Sequence, residues 1–132
     1  LNINTRYDGM ASSIFRSASG VAYLAWCDGE ERERILAQLV DAAEREAMMA
    51  EIARTKARGY GVRDARLPPG VGAIAVPVLI DGRAMACLNV VFLPKMSTPE
   101  AIAKECLSTL RTAAQNIARE MQRGLAGGDV SV

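Results

Sequence analysis

Two apolar runs around a single tight turn constrain this chain more than any other feature. Ala73–Ile80 and Ala84–Phe92 are almost wholly apolar, and Asp81-Gly82-Arg83 separates them. Asp-Gly between β-prone runs is a strong hairpin signal, because both central turn residues take positive φ and these two do so cheaply. A hairpin of this length is not stable alone, so the rest of the chain has to cover its apolar faces. Pro77 lies inside the first run and cannot donate a ladder hydrogen bond. That places it at an edge, at a bulge, or with its missing N–H facing outward. Asn89 is the polar exception in the second run. It either faces solvent on an alternating strand or points inward and needs a partner, which a ligand could be.

The flanking segments supply the cover. Leu1–Thr5 alternates apolar and polar residues, as a short half-buried strand does, and Asp8-Gly9 breaks it. Ser17-Ala18-Ser19-Gly20 precedes the apolar helical segment Val21–Cys27, with Ser17 or Ser19 as N-cap. A helix apolar on nearly every side belongs in the interior. Asp28 and Glu31 have capping-box spacing ahead of a helix burying Ile35, Leu36, Leu39 and Val40. A third helix over 44–58 carries Met48, Met49 and Ile52 on one side and ends at Gly59, which suits a left-handed terminus. Tyr60–Asp64 reads as a short strand and Ala65–Gly72 as a loop with two prolines. A long final helix is capped by Ser97 and Glu100 with Pro99 in its first turn. Its expected buried stripe is Ile102, Cys106, Leu110, Ala113, Ile117 and Met121, and Gly124 and Gly127-Gly128 end it before a loose tail. The order strand, three helices, three antiparallel strands, helix makes an α+β layer with helices packed on the sheet.

Length allows one domain, spanning 1–132, with a single core. With 16 basic and 15 acidic side chains, the net charge of +1 gives no electrostatic footprint for nucleic acid. Cys27, Cys87 and Cys106 are scattered through apolar segments, which argues against a disulfide framework and a zinc site and for reduced core thiols in the cytoplasm. No apolar stretch is long enough to span a bilayer, so no membrane partner is expected. The chain starts at Leu1 rather than Met, as a fragment of something longer would.

Catalysis has little to work with. There is no histidine, which removes the commonest general base and metal ligand. Glu30, Glu31, Glu33, Asp41, Glu44 and Glu46 cluster with arginines, as on a solvated, salt-bridged helix surface. Gly70-Val71-Gly72 precedes a strand, so it lacks the helix N-terminus that a phosphate loop uses. No catalytic residue, metal or cofactor is expected. The start at Ser17–Gly20 does open a helix, whose free N–H groups favour a small anion such as a carboxylate; the plainer reading is a capped, buried helix with Gly20 allowing close packing. Arg63-Asp64 is either a local surface pair or a charged group at a pocket mouth.

The blocks Ser-Ala-Ser-Gly-Val-Ala-Tyr-Leu-Ala (17–25), Arg-Gly-Tyr-Gly (58–61), Ile-Ala-Val-Pro-Val (74–78), Asp-Gly-Arg (81–83) and Cys-Leu-Asn-Val-Val (87–91) resemble, in order and spacing, the C-terminal effector-binding domain of the IclR family of bacterial transcriptional regulators. Leu24–Cys27 and Cys87–Val91 look most like the branch that activates hydroxyphenylpropionate and related aromatic-acid catabolism. The resemblance implies a GAF-like fold, an antiparallel sheet carrying helices and a ligand pocket. It also implies self-association into a homodimer or homotetramer, and DNA contact only through an N-terminal winged helix-turn-helix that this chain lacks. Even the effector domain is expected to be incomplete at its N-terminus, since family members begin with a helix and a further strand or two.

Relatives that bind small keto acids use a Gly-Ala step at a helix start, an Asp after the Gly-Tyr strand, a Cys at the next strand start and two serines on the last strand. The matching positions are Gly20 and Val21, Arg63 (or Asp64 if the register slips by one), Ala73, and Asn89 with Val91. With Ser19 at the helix start, these are the expected ligand-binding residues. Ala73 and Val91 leave fewer hydroxyls and more apolar wall, which suits an aromatic or longer acid whose carboxylate pairs with Arg63. The resemblance therefore implies a non-catalytic sensor of a small organic acid controlling a catabolic operon. The alternatives are a cysteine-dependent enzyme on a related fold and a ligand-free oligomerisation domain.

Overall fold

Asp81 and Gly82 take φ values of 53° and 77°, the pair of positive angles that a primed two-residue hairpin turn requires. A computed structural model describes residues 14–66 and 70–127. Within them the chain forms α1 (Ala18–Trp26), α2 (Gly29–Leu36), α3 (Ala42–Arg58), β1 (Gly61–Arg63), β2 (Gly72–Ile80), β3 (Arg83–Phe92) and α4 (Pro99–Gly127). The sheet has the order β1-β2-β3 with both pairings antiparallel. The architecture is α+β. The strand expected at Leu1–Thr5, the two loop prolines and the tail beyond Gly127 lie outside the described residues.

The ladders set which side chains share a face. Arg63, Ala73 and Val91 form one row across the three strands, and Gly61, Ala75 and Asn89 form the next. Pro77 pairs with Cys87 on β3. The β1 pairing reaches only Ala75 on β2, so Pro77 stands where β2 has a single neighbour among the described residues. A bulge between Val78 and Leu79 leaves Met85 without a partner.

α1 lies on the face that carries those rows. Its Ala18 and Ala22 pack on Ala73 and Ala75, with Trp26 and Cys87 alongside. Small side chains on both surfaces allow a close approach, and Gly61 is the tightest point. A Cβ on it would sit 2.3 Å from the Ala18 carbonyl oxygen. The outer side of α1 presents Val21, Leu24 and Ala25 to Leu36 of α2 and Ile52 of α3. Leu24 is fully buried, a contribution of about 2 kcal/mol from its side chain. α1 is thus interior on nearly every side, as its composition requires.

α4 covers the opposite face, where Val76 and Val78 meet Ala114 and Ala118. The buried line runs through Ala103, Ala114 and Ala118, with Leu107, Leu110 and Met121 beside it. The stripe expected from apolar spacing is rotated from this, and Ile117 is left 37% exposed. Alanines form the line of closest approach because a helix settles nearer a sheet where its side chains are short.

Other expectations shift by a residue or a partner. Thr98, not Ser97, caps α4, its hydroxyl accepting from the Ala101 N–H at 3.1 Å. That puts Pro99 at the first helical position, where it loses nothing. Gly124 does not end α4, which continues to Gly127. Asp28 caps α2 by accepting from Glu30 N–H at 3.1 Å, but Glu31 accepts from the Tyr23 hydroxyl at 2.7 Å instead of closing a capping box. α2 ends at Leu36, leaving Val40 88% exposed, and Met49 also faces outward. α3 starts earlier than expected, capped by Asp41, and ends at Gly59 with φ 93° as expected.

Candidate functional site

Ser17 caps α1. Its hydroxyl oxygen accepts from the Gly20 N–H at 2.9 Å, so the helix starts at Ala18 and the block Ala18-Ser19-Gly20 is its first turn. That releases Ser19 for another role. Its hydroxyl oxygen accepts from Asn89 Nδ2 at 3.0 Å, and its carbonyl accepts from the Cys87 thiol at 3.4 Å. The polar exception of β3 is therefore tied to the first turn of α1. Asn89 is exposed rather than enclosed, and so is Val91 at 58%. Gly20 and Val21 are buried behind this turn, with the backbone of Ile14 against Gly20.

From this turn α1 runs back toward Trp26 and Pro77, so its N-terminal end faces the outer row Arg63–Ala73–Val91. The helix dipole places partial positive charge there. Arg63 stands in that row, opposite Ala73, and Nη1 donates to the carbonyls of Asp64 at 2.9 Å and Val71 at 3.3 Å. Asp64 follows the strand and turns toward Arg66, with Oδ2 2.7 Å from Nη2. Those bonds lower its carboxyl to about 2. The Arg63-Asp64 step is thus not an ion pair with itself: Arg63 shares the α1 face, and Asp64 is committed to Arg66.

A cavity of about 420 Å³ lies beside the site, where Ser17 and Val21 meet Glu51 and Arg58 of α3 and Val62 and Asp64 at β1. Arg58 was not singled out from the sequence. Its Nε donates to the Tyr60 carbonyl at 2.9 Å, Nη2 to Glu51 at 2.8 Å, and its guanidinium lies 5.5 Å from the Tyr60 ring centre. It fastens the end of α3 to the start of β1, which gives the Arg-Gly-Tyr-Gly block a positioning role. The only local hint was its place in the last turn beside Gly59.

The three thiols are free, Cys27 buried and Cys87 and Cys106 half-buried. Burial pushes the Cys87 thiol up to about 11, and burial likewise raises that of Cys27. A thiolate nucleophile needs the opposite shift. The acidic helix surface is less ion-paired than expected: among the described residues, Glu30, Glu31, Glu33, Asp41, Glu44 and Glu46 form no salt bridge. The pairs are instead Glu51 with Arg54 and Arg58, Asp28 with Arg83, Asp64 with Arg66 and Glu120 with Arg123. No helix of the described residues is long and apolar enough to cross a membrane.

Residues 3–119 match the family described as bacterial transcriptional regulator IclR, C-terminal. The chain belongs to this family. It is an IclR-type effector-binding domain, and the order of sequence blocks from Ser17 to Val91 now has its structural reason in the α1–sheet contact. The HTH-type transcriptional regulator KdgR of Escherichia coli (strain K12) is 30% identical over 121 residues, covering 86% of this chain and 46% of that protein. Among solved structures, the C-terminal domain of E. coli KdgR is similar with a TM-score of 0.68 and 27% identity, over 82% of this chain and 70% of that one. An IclR homologue from Microbacterium hydrocarbonoxydans complexed with 4-hydroxybenzoate shares the fold, with a TM-score of 0.62, 24% identity and coverage of 83% and 46%. This chain spans about half the length, or less, of the curated relatives it matches, at 46% and 39%.

Proposed function

We propose that this IclR-type domain senses a small organic acid, aromatic or of similar apolar body, at the first turn of α1. The observation that carries the reading is the Asn89–Ser19 hydrogen bond, which fixes a polar strand residue against a helix N-terminus on the same face as Arg63. The acid's carboxylate lies at that N-terminus, taking Ser19, Asn89 and the Arg63 guanidinium as partners. Ala73 and Val91 carry its apolar body, Gly20 and Val21 set the position of the helix turn, and Asp64 holds the strand end through Arg66. The 4-hydroxybenzoate bound by the Microbacterium homologue supports an aromatic acid as one that this fold can accept.

In the full-length protein the domain is joined to an N-terminal helix-turn-helix that contacts DNA, and works as a homodimer or homotetramer to control a catabolic operon. Effector binding shifts an equilibrium between domain arrangements, with a coupling of about 1–3 kcal/mol. No catalysis and no cofactor enter the mechanism. A thermal-shift panel on this chain tests the ligand class. 3-Phenylpropionate and 4-hydroxybenzoate should raise the melting temperature, whereas pyruvate and the polyhydroxylated gluconate should not. Stabilisation by pyruvate or gluconate alone would overturn the assignment of an apolar acid.

A further inference from the structure

A second concavity lies at the far end of α1, away from Asn89 and Arg63. It is a half-open groove of about 440 Å³ between Trp26, the edge of β2 at Pro77 and Leu79, and the α4 wall carrying Arg111, Gln115 and Arg119. Its volume falls within the usual range for small-ligand sites. Its floor is apolar, formed by Trp26, Val76, Pro77 and Leu79, and among the described residues no acidic side chain lines it. Among the described residues Arg111 donates to the Gly59 carbonyl at a long 3.5 Å, and Arg119 donates to the Asn116 side-chain oxygen. Among the described residues neither arginine has a carboxylate partner, unlike Arg54, Arg58, Arg66, Arg83 and Arg123.

The groove's occupant follows from charge and from backbone chemistry. β1 pairs with β2 only as far as Ala75, so among the described residues no strand pairs with β2 on that side beside Pro77. Proline has no N–H, so Pro77 cannot donate to an added peptide strand. A bound small molecule does not need that donor. Two guanidiniums without a carboxylate partner among the described residues, set over an apolar floor, instead complement a carboxylate attached to an apolar or aromatic body. We infer that the groove between Trp26, Pro77 and α4 is a second binding site, for an apolar carboxylic acid held by Arg111 and Arg119. The site is independent of the sensing site proposed at the first turn of α1. It would let the domain respond to an acid at two places, one at each end of the same helix.

Trp26 is the only tryptophan in the chain, so its emission reports on the groove directly. Titrating the 132-residue chain with 3-phenylpropionate should change that emission saturably, and 3-phenylpropan-1-ol, which lacks the charge, should bind at least about tenfold more weakly. The double variant Arg111→Gln/Arg119→Gln should lose the saturable change. Arg123→Gln, on the same helix but outside the groove, should keep it. These substitutions are on the exposed helix surface, and far-UV circular dichroism will show that each variant is folded. The inference is overturned by no saturable change, by a change that survives in the double variant, or by equal binding of acid and alcohol. An emission shift that grows with protein concentration and without acid would also overturn it, assigning the groove to a second copy of the chain.

Discussion

Arg32 of α2 closes the C-terminal end of α1, and removing it should loosen the helix on which both proposed sites depend. Its Nε donates to the Leu24 carbonyl at 2.6 Å and its Nη2 to the Cys27 carbonyl at 2.9 Å, with the Ala25 carbonyl more distant at 3.5 Å. A helix leaves its last carbonyls without intrahelical partners, and here one guanidinium serves them from a neighbouring helix. Hydrogen bonds to a charged group contribute about 1.5–3 kcal/mol each, and a cation at a helix C-terminus adds about 0.3–1 kcal/mol. Against this stands up to about 2 kcal/mol of side-chain entropy lost on ordering the arginine. Arg32→Ala should therefore cost about 1–5 kcal/mol. Arg32→Lys keeps the charge but not the fork, and should cost about half as much. Urea denaturation followed by Trp26 emission measures both, with an unchanged slope showing that the unfolded state is not the cause. A loss below about 0.5 kcal/mol for Arg32→Ala would refute the reasoning, because water would then satisfy the carbonyls equally well. Equal stability of the lysine variant and the parent would show that only the charge matters.

Two further outcomes follow from packing and burial. Gly61→Ala would bring a methyl group within 2.3 Å of the Ala18 carbonyl oxygen and 3.1 Å of the Ala22 nitrogen, both backbone atoms that can yield only if α1 lifts. It should lower stability by about 1–3 kcal/mol and reduce the thermal response to acids, both read from melting curves. Cys87, with its thiol pushed up to about 11 by burial, should be alkylated slowly by iodoacetamide in the native protein at pH 8, and about tenfold faster per pH unit toward 11 while the fold holds. Rapid native labelling at pH 8, located by peptide mass spectrometry, would favour the cysteine-dependent enzyme over the sensor.

The parts of the fold legible in the sequence are those governed by neighbours a few residues away. Asp81-Gly82 specified its turn because positive φ is a property of those residues, and Gly59 ended α3 for the same reason. Where two nearby residues offered the same chemistry, sequence could narrow the choice but not make it. Ser17 and Ser19 can both cap a helix, and Ser97 and Thr98 likewise; only the path of the chain puts Ser17 and Thr98 at the caps. Arg63 and Asp64 differ by one residue, which in a strand is the difference between opposite faces. The pairing of Arg63 with Ala73 puts the arginine in one row with Ala73 and Val91.

The α4 stripe shows the limit most clearly. Its apolar spacing marks an amphipathic helix, but the line of contact is set by where Val76 and Val78 lie beneath it, and alanines rather than isoleucines fill that line. By itself the sequence determined the hairpin, the number and kind of elements after residue 14, and the family. Only the tertiary structure decided that Asn89 meets Ser19 across 70 residues of chain, and that Trp26, Pro77, Arg111 and Arg119 border one groove. Turns and caps are stabilised by local bonds that a short stretch of residues contains in full. Sites are made by contacts between distant segments, whose facing surfaces are fixed only when the packed core chooses a register and a helix rotation.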